Sequence, residues 1–116
     1  MNIEDVREYC LSLPGAMEDL FAPDWLSFRI GGKWFAILWL GAPRPTVEVK
    51  LLPERGEELR ERYAGVSPGY HMNKRHWNNL VLDSGLTDQQ VKEWISESYH
   101  LVRGKLPKSI RQTLKL

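Results

Sequence analysis

Trp25-Leu26-Ser27-Phe28-Arg29-Ile30-Gly31-Gly32-Lys33-Trp34-Phe35-Ala36-Ile37-Leu38-Trp39-Leu40 holds two β-prone runs with a glycine pair between them. In the first run Leu26, Phe28 and Ile30 alternate with Ser27 and Arg29, the period of a strand with one buried face. Gly31-Gly32 supplies the positive φ values of a tight two-residue turn, so the second run returns as a hairpin. That run, 33–40, is apolar on both faces, which predicts a central strand covered on both sides. After the rigid link Gly41-Ala42-Pro43-Arg44-Pro45, Val47, Val49 and Leu51 alternate with Glu48 and Lys50. Three consecutive strands joined by short links predict an antiparallel meander.

Helices flank this meander. Asn2 is placed to cap a helix whose apolar residues Ile3, Val6, Cys10 and Leu13 recur at helical spacing, and Pro14-Gly15 stops it. Residues 16–24 are acidic and read as loop. Pro53 suits the first turn of a second helix, with Glu54, Glu57 and Glu58 early, Arg60 and Arg62 late, and Leu59 and Tyr63 inward. Residues 64–69 read as loop and 77–82 as a short strand. Thr87 with Gln90 forms a capping-box pattern, opening a helix from Asp88 to about Arg103 with Val91, Trp94, Ile95, Ser98 and Val102 on one face. Pro107 prevents simple continuation, and the basic tail from Lys105 is expected to add a helical turn or to fray. The expectation is one α+β domain spanning 1–116, with elements in the order α-β-β-β-α-β-α and an antiparallel sheet packed against helices.

Composition bounds the function classes. The chain has 116 residues, 42% hydrophobic and 27% charged, enough for one core and far from a disordered composition. Cys10 is the only cysteine, so neither an internal disulfide nor a cysteine metal cluster is available, and a reducing, cytoplasmic setting is expected. The acidic, amphipathic N-terminus does not read as a signal peptide, and the longest apolar run is too short to cross a bilayer as a helix. Five tryptophans point mostly to packing in or near the core.

The net charge is only +1, but it is unevenly placed. Residues 1–24 carry six acids against Arg7, whereas residues 98–116 carry Arg103, Lys105, Lys108, Arg111 and Lys115 and no acid. No acid falls between Glu61 and Asp83 either, an interval that holds Pro68-Gly69-Tyr70-His71-Met72-Asn73-Lys74-Arg75-His76-Trp77-Asn78. If this segment and the tail share a face, the domain has a positive surface despite its near-neutral total.

The residue types in and just after that segment suit an anion or a nucleic-acid backbone: two adjacent cations, amides from Asn73, Asn78 and Asn79, and Tyr70 or Trp77 for stacking. His71 and His76, five apart, share no helix face and have no acid or Cys nearby to complete a metal site. Imidazole is competent for acid–base work near neutrality, yet no Ser-His-Asp or Cys-His spacing accompanies either histidine. No cofactor motif is present. Gly31-Gly32 lacks the Lys-Ser/Thr and following helix of a phosphate loop.

Leu13-Pro14-Gly15-Ala16, Gly31-Gly32-Lys33-Trp34-Phe35-Ala36, the Pro68–Asn78 run, and Ser98-Tyr99 through Lys105-Leu106-Pro107 occur in that order. Together they make the chain resemble the MmcQ/YjbR family of small bacterial proteins over nearly its whole length. The resemblance implies an α+β fold related to frataxin-like and secretion-chaperone-like architectures. It also implies DNA binding through a double-wing arrangement of protruding strands and loops. Carried residue by residue, the DNA-binding role falls on His71, Asn73, Lys74, Arg75, His76, Asn78, Lys105 and Lys108. The sequence departs from the usual pattern at Asn79-Leu80 and at Arg103-Gly104, the second of which is placed to loosen the last helix and the tail behind it.

The expected function is therefore non-enzymatic DNA binding, phosphates being held by the His/Asn/Lys/Arg loop and the C-terminal lysines. Two alternatives stand beside it. One is a protein-binding module, chaperone-like or self-associating, that works through the sheet or its apolar edge. The other is a small-molecule or anion site around His71, Arg75 and His76.

Overall fold

The computed structural model describes residues 1–69 and 72–116. Helix α1 (Ile3–Ser12) starts where Asn2 accepts a hydrogen bond from the Asp5 N–H at 2.8 Å and Asp5 accepts one back from the Asn2 N–H at 2.9 Å, a reciprocal cap. Strands β2 (Trp25–Ile30), β3 (Lys33–Trp39) and β4 (Thr46–Lys50) form the antiparallel meander read from the sequence. The turn between β2 and β3 has Gly31 at φ 57° and Gly32 at φ 80°. A Cβ on Gly31 would also lie 2.8 Å from the Leu106 side chain, so the turn needs glycine for conformation and for room.

Three elements are additions to the expected order. Residues 16–24 are not loop throughout: Met17–Ala22 forms β1, paired with β2 at the sheet edge. Its acids are tolerated because Arg7 grips Glu18 with two hydrogen bonds of 2.6 and 2.7 Å and Arg29 pairs with Asp19 at 3.1 Å. Residues Val66–Pro68 form β5, a second edge strand, paired with β6 (Trp77–Val81). The tail forms α4 (Lys108–Thr113) after α3 (Asp88–Gly104), anchored by Leu106, which is buried. Helix α3 thus holds through Arg103-Gly104. The sheet order is β1-β2-β3-β4-β6-β5, antiparallel at every pairing.

The core lies between the sheet and the helices. α1 contributes Val6 and Cys10, α2 (Pro53–Arg62) contributes Leu59, and α3 contributes Val91, Trp94, Ile95, Tyr99 and Val102 to one cluster with Phe28, Phe35, Leu38, Val47, Val49 and Leu80. A bulge between Phe28 and Arg29 of β2 and their β3 partners turns Phe35 toward α3, where its ring meets Tyr99 edge-on at 5.4 Å. The opposite face carries the other register set, Ser27, Ile37, Glu48 and Asn79 in one row. Three half-buried tryptophans stand over this face. Trp25 stacks on Trp39 at 5.3 Å, and Phe21 stacks on Trp34 at 4.9 Å and lies 6.2 Å from Trp25. Only Trp77 and Trp94 are fully core-like, so the tryptophan content serves the outer face of the sheet as much as the interior.

Candidate nucleic-acid interface

The end of the sheet that carries the Gly31-Gly32 turn also receives the C-terminus of α3 and the turn leading into β6. Antiparallel pairing puts Lys33 at the start of β3, and pairs Lys50 at the end of β4 with Trp77 at the start of β6. There a cleft of about 450 Å³ opens, with Arg29, Lys33, Lys50 and Lys105 as its cations. Its apolar wall is made by Trp34, Met72, Trp77 and Val102, of which Trp77 and Val102 are buried.

The electrostatics follow from this crowding. Lys33, Lys50 and Lys105 make no ion pair among the described residues. Burial lowers the Lys50 pKa from its ordinary value, and the charges of Lys105 and Lys33 lower it further. Arg29 is partly neutralised by Asp19 and lies over the Trp34 ring, 5.2 Å from its centroid. Two donors at the wall, Arg29 Nε and Trp34 Nε1, are closed to solvent and donate to nothing among the described residues. A second groove of about 410 Å³ beside the end of α3 is lined by His100, Arg103, Lys108 and Arg111, so the tail extends the positive zone.

The structure separates the residues singled out from the sequence. Lys105 lines the main cleft and Lys108 the second groove. Lys74 and Arg75 are exposed on the turn that enters β6, at the same end of the sheet but not in the cleft wall. Asn73 builds that turn: its side chain accepts from the Arg75 N–H at 2.9 Å, and its carbonyl accepts from Trp77 at 2.8 Å. His76 is half-buried, and its carbonyl accepts from the Leu51 N–H at 2.8 Å. Asn78 does not reach solvent. It is fully buried, accepts from Arg60 at 2.8 Å, donates to the His76 carbonyl at 3.2 Å, and occupies the space a Cβ on Gly56 would need. Its place is therefore to dock α2 against β6, and a contact from Asn78 to a base edge would require the strand to open. His71 lies outside the described residues.

Arg29 and Lys50 stand in the sequence at the polar positions of alternating strands, and Lys33 opens the run that is apolar on both faces. What brings them together is the pairing of β2, β3 and β4 with β6, which no local pattern announces.

Among the described residues no three of His, Cys, Asp and Glu are grouped to hold a metal ion. Burial pushes the Cys10 thiol far above its ordinary pKa, so it packs as an apolar group. No helix of the described residues is long and apolar enough to cross a membrane.

Fold and cleft define a class, the one-domain α+β proteins with helices on one face of an open antiparallel sheet and a cationic cleft at its hairpin end. The chain belongs to the YjbR family, whose model matches residues 11–101. It is 33% identical over 116 residues to the uncharacterized protein YjbR of Escherichia coli K12, covering 98% of both chains. It is 31% identical over 88 residues to YbdF of Escherichia coli O157:H7, covering 76% of this chain and 72% of that one. The crystal structure of a Deinococcus radiodurans protein superposes with a TM-score of 0.91 at 32% identity, over 99% of this chain and 88% of that one. A Pseudomonas syringae crystal structure superposes with a TM-score of 0.79 at 28% identity, over 89% of this chain and all of the other.

Proposed function

We propose that the protein binds DNA, holding phosphates at the hairpin end of the sheet. One observation carries the reading: Lys33, Lys50 and Lys105, from three separate elements and without carboxylate partners among the described residues, meet at one cleft. Folding works against like charge to gather them, and a polyanion supplies the compensation. Lys74 and Arg75 on the turn and Lys108 with Arg111 in the adjoining groove extend the track that a phosphate backbone would follow. No catalytic step is part of this reading.

The test is fluorescence anisotropy of a labelled duplex at two salt concentrations. About five phosphate contacts give a log–log salt slope of roughly −4 to −5. The Lys50→Ala/Lys105→Ala variant is expected to flatten the slope by about two and Lys74→Ala/Arg75→Ala by less, since those side chains lie outside the cleft. Arg44→Ala, at the opposite end of the sheet and paired with Asp83, serves as the control. Equal, salt-insensitive binding by all four proteins sinks the proposal.

A second reading, a protein-binding or self-associating edge, is favoured by β1. On that edge strand Met17, Leu20 and Phe21 are 70%, 59% and 41% exposed. Light scattering across a concentration series separates it: a mass that stays at one chain counts against self-association.

A further inference from the structure

We infer that the cleft receives one unpaired nucleotide, the base against the apolar wall and its phosphate on Lys33, Lys50 and Lys105. This rests on the nucleic-acid reading above and narrows it from duplex backbone to single strands or strand ends.

Phosphates of an intact duplex would engage the exposed lysines and leave the wall unused. Here the cations surround a wall of Trp34, Met72, Trp77 and Val102, and 450 Å³ is within the range of sites that enclose a small ligand, roughly 300–1,000 Å³. A flat heteroaromatic ring carrying an anionic group matches that combination, because ring and anion are satisfied in one place. Trp34 Nε1 and Arg29 Nε take no part in this match, since both are closed to solvent behind the wall. Trp34 itself is not a free stacking platform, since Phe21 lies on it at 4.9 Å and Arg29 stands over it at 5.2 Å. The cleft also offers the half-buried Arg29 side chain, which lies over Trp34 and pairs with Asp19, and guanidinium groups stack on bases.

The shared chemistry, a nucleobase with a phosphate, comes either from a nucleic-acid strand or from a free nucleotide, and the probes distinguish them. A labelled twelve-residue oligothymidylate is compared with a blunt duplex of the same length, with thymidine 5′-monophosphate and inorganic phosphate as competitors. The expected result is single-strand binding at least ~10-fold tighter than duplex binding, the worth of one stacked base. The monophosphate should displace the strand at lower concentration than inorganic phosphate does. Met72→Ala, which removes a half-buried side chain from the wall, should erode the single-strand advantage. The Trp34 indole N–H resonance of the wild-type protein should move with the monophosphate and not with inorganic phosphate, a readout that needs no variant. Equal affinity for both DNA forms with an unmoved Trp34 resonance overturns the inference while the phosphate reading stands. No binding of either DNA form overturns that reading. If the monophosphate alone then binds and shifts Trp34, the cleft assignment is supported with a free nucleotide as its occupant.

Discussion

At the scale of single residues, Glu48 places a carboxyl group inside the molecule. It alternates with Val47 and Val49 along β4, so it stands on the face of the sheet away from the main core. Glu48 is 1% exposed, because its face of the sheet is covered as well. Burial raises its carboxyl to about 7. The register sets it opposite Asn79, and both Glu48 Oε2 and Asn79 Oδ1 are buried without a donor among the described residues. A protonated carboxyl brings the missing donor and an ionised one does not. The unfolded chain loses this proton near 4.5, the ordinary value, and the folded chain only near 7. Stability therefore declines as pH rises from 4.5 to 7 and stays at the lower level above, a penalty of ~3 kcal/mol. Glu48→Gln keeps a donor at every pH. It is expected to raise unfolding free energy by up to ~3 kcal/mol at pH 8 and by little at pH 4.5. Urea denaturation at the two pH values checks this, and a pH-independent difference would refute it.

At the scale of elements, helical periodicity made α1 and α3 legible and alternation made β2 and β4 legible, while β3, buried on both faces, was marked by its apolar run and the glycine pair before it. β1 was hidden for the opposite reason. Met17 through Phe21 are all exposed, so the strand is defined by main-chain pairing with β2 and leaves no apolar period. The joint between helix and sheet was half visible. Ser98 falls on the inward face of α3 in the sequence, yet its task appears only with the bulge in β3. Its hydroxyl donates to the Phe35 carbonyl and accepts from the Lys50 N–H at 2.9 Å. Ser98→Ala leaves a buried carbonyl and a buried N–H unpaired, which costs about 2–3 kcal/mol. Ser96→Ala, two residues along the same helix and off the buried face, should fall within about 0.5 kcal/mol of wild type. Chemical denaturation of both variants measures the difference. A Ser98→Ala protein as stable as Ser96→Ala would show that α3 is held by apolar packing alone.

At the scale of the whole molecule, the near-zero net charge conceals a separation that sequence intervals only partly display. Arg7, Arg29, Arg44, Arg55 and Arg62 have carboxylate partners, and the cations at the hairpin end other than Arg29 have none among the described residues. The tail lysines could be read as part of a basic zone from the run of residues without acids. Lys33 and Lys50 could not, since each stands in a segment of mixed sign and joins the zone only through strand pairing. Such a cluster has a consequence independent of any ligand. In the free protein the lysines repel, so removing the central one should stabilise the fold while weakening anion binding. Lys50→Met keeps the apolar stem against Trp77 and discards the charge. Its melting temperature should exceed that of wild type by about 2–4 °C at 10 mM salt. At 0.5 M salt the gap should nearly close, because the screening length falls to about 4 Å. Addition of tripolyphosphate at low salt should reverse the order, raising the wild-type melting temperature by mass action and the variant's less. A variant that melts with or below wild type at low salt, with no response to the polyanion, would mean that these charges are independently solvated.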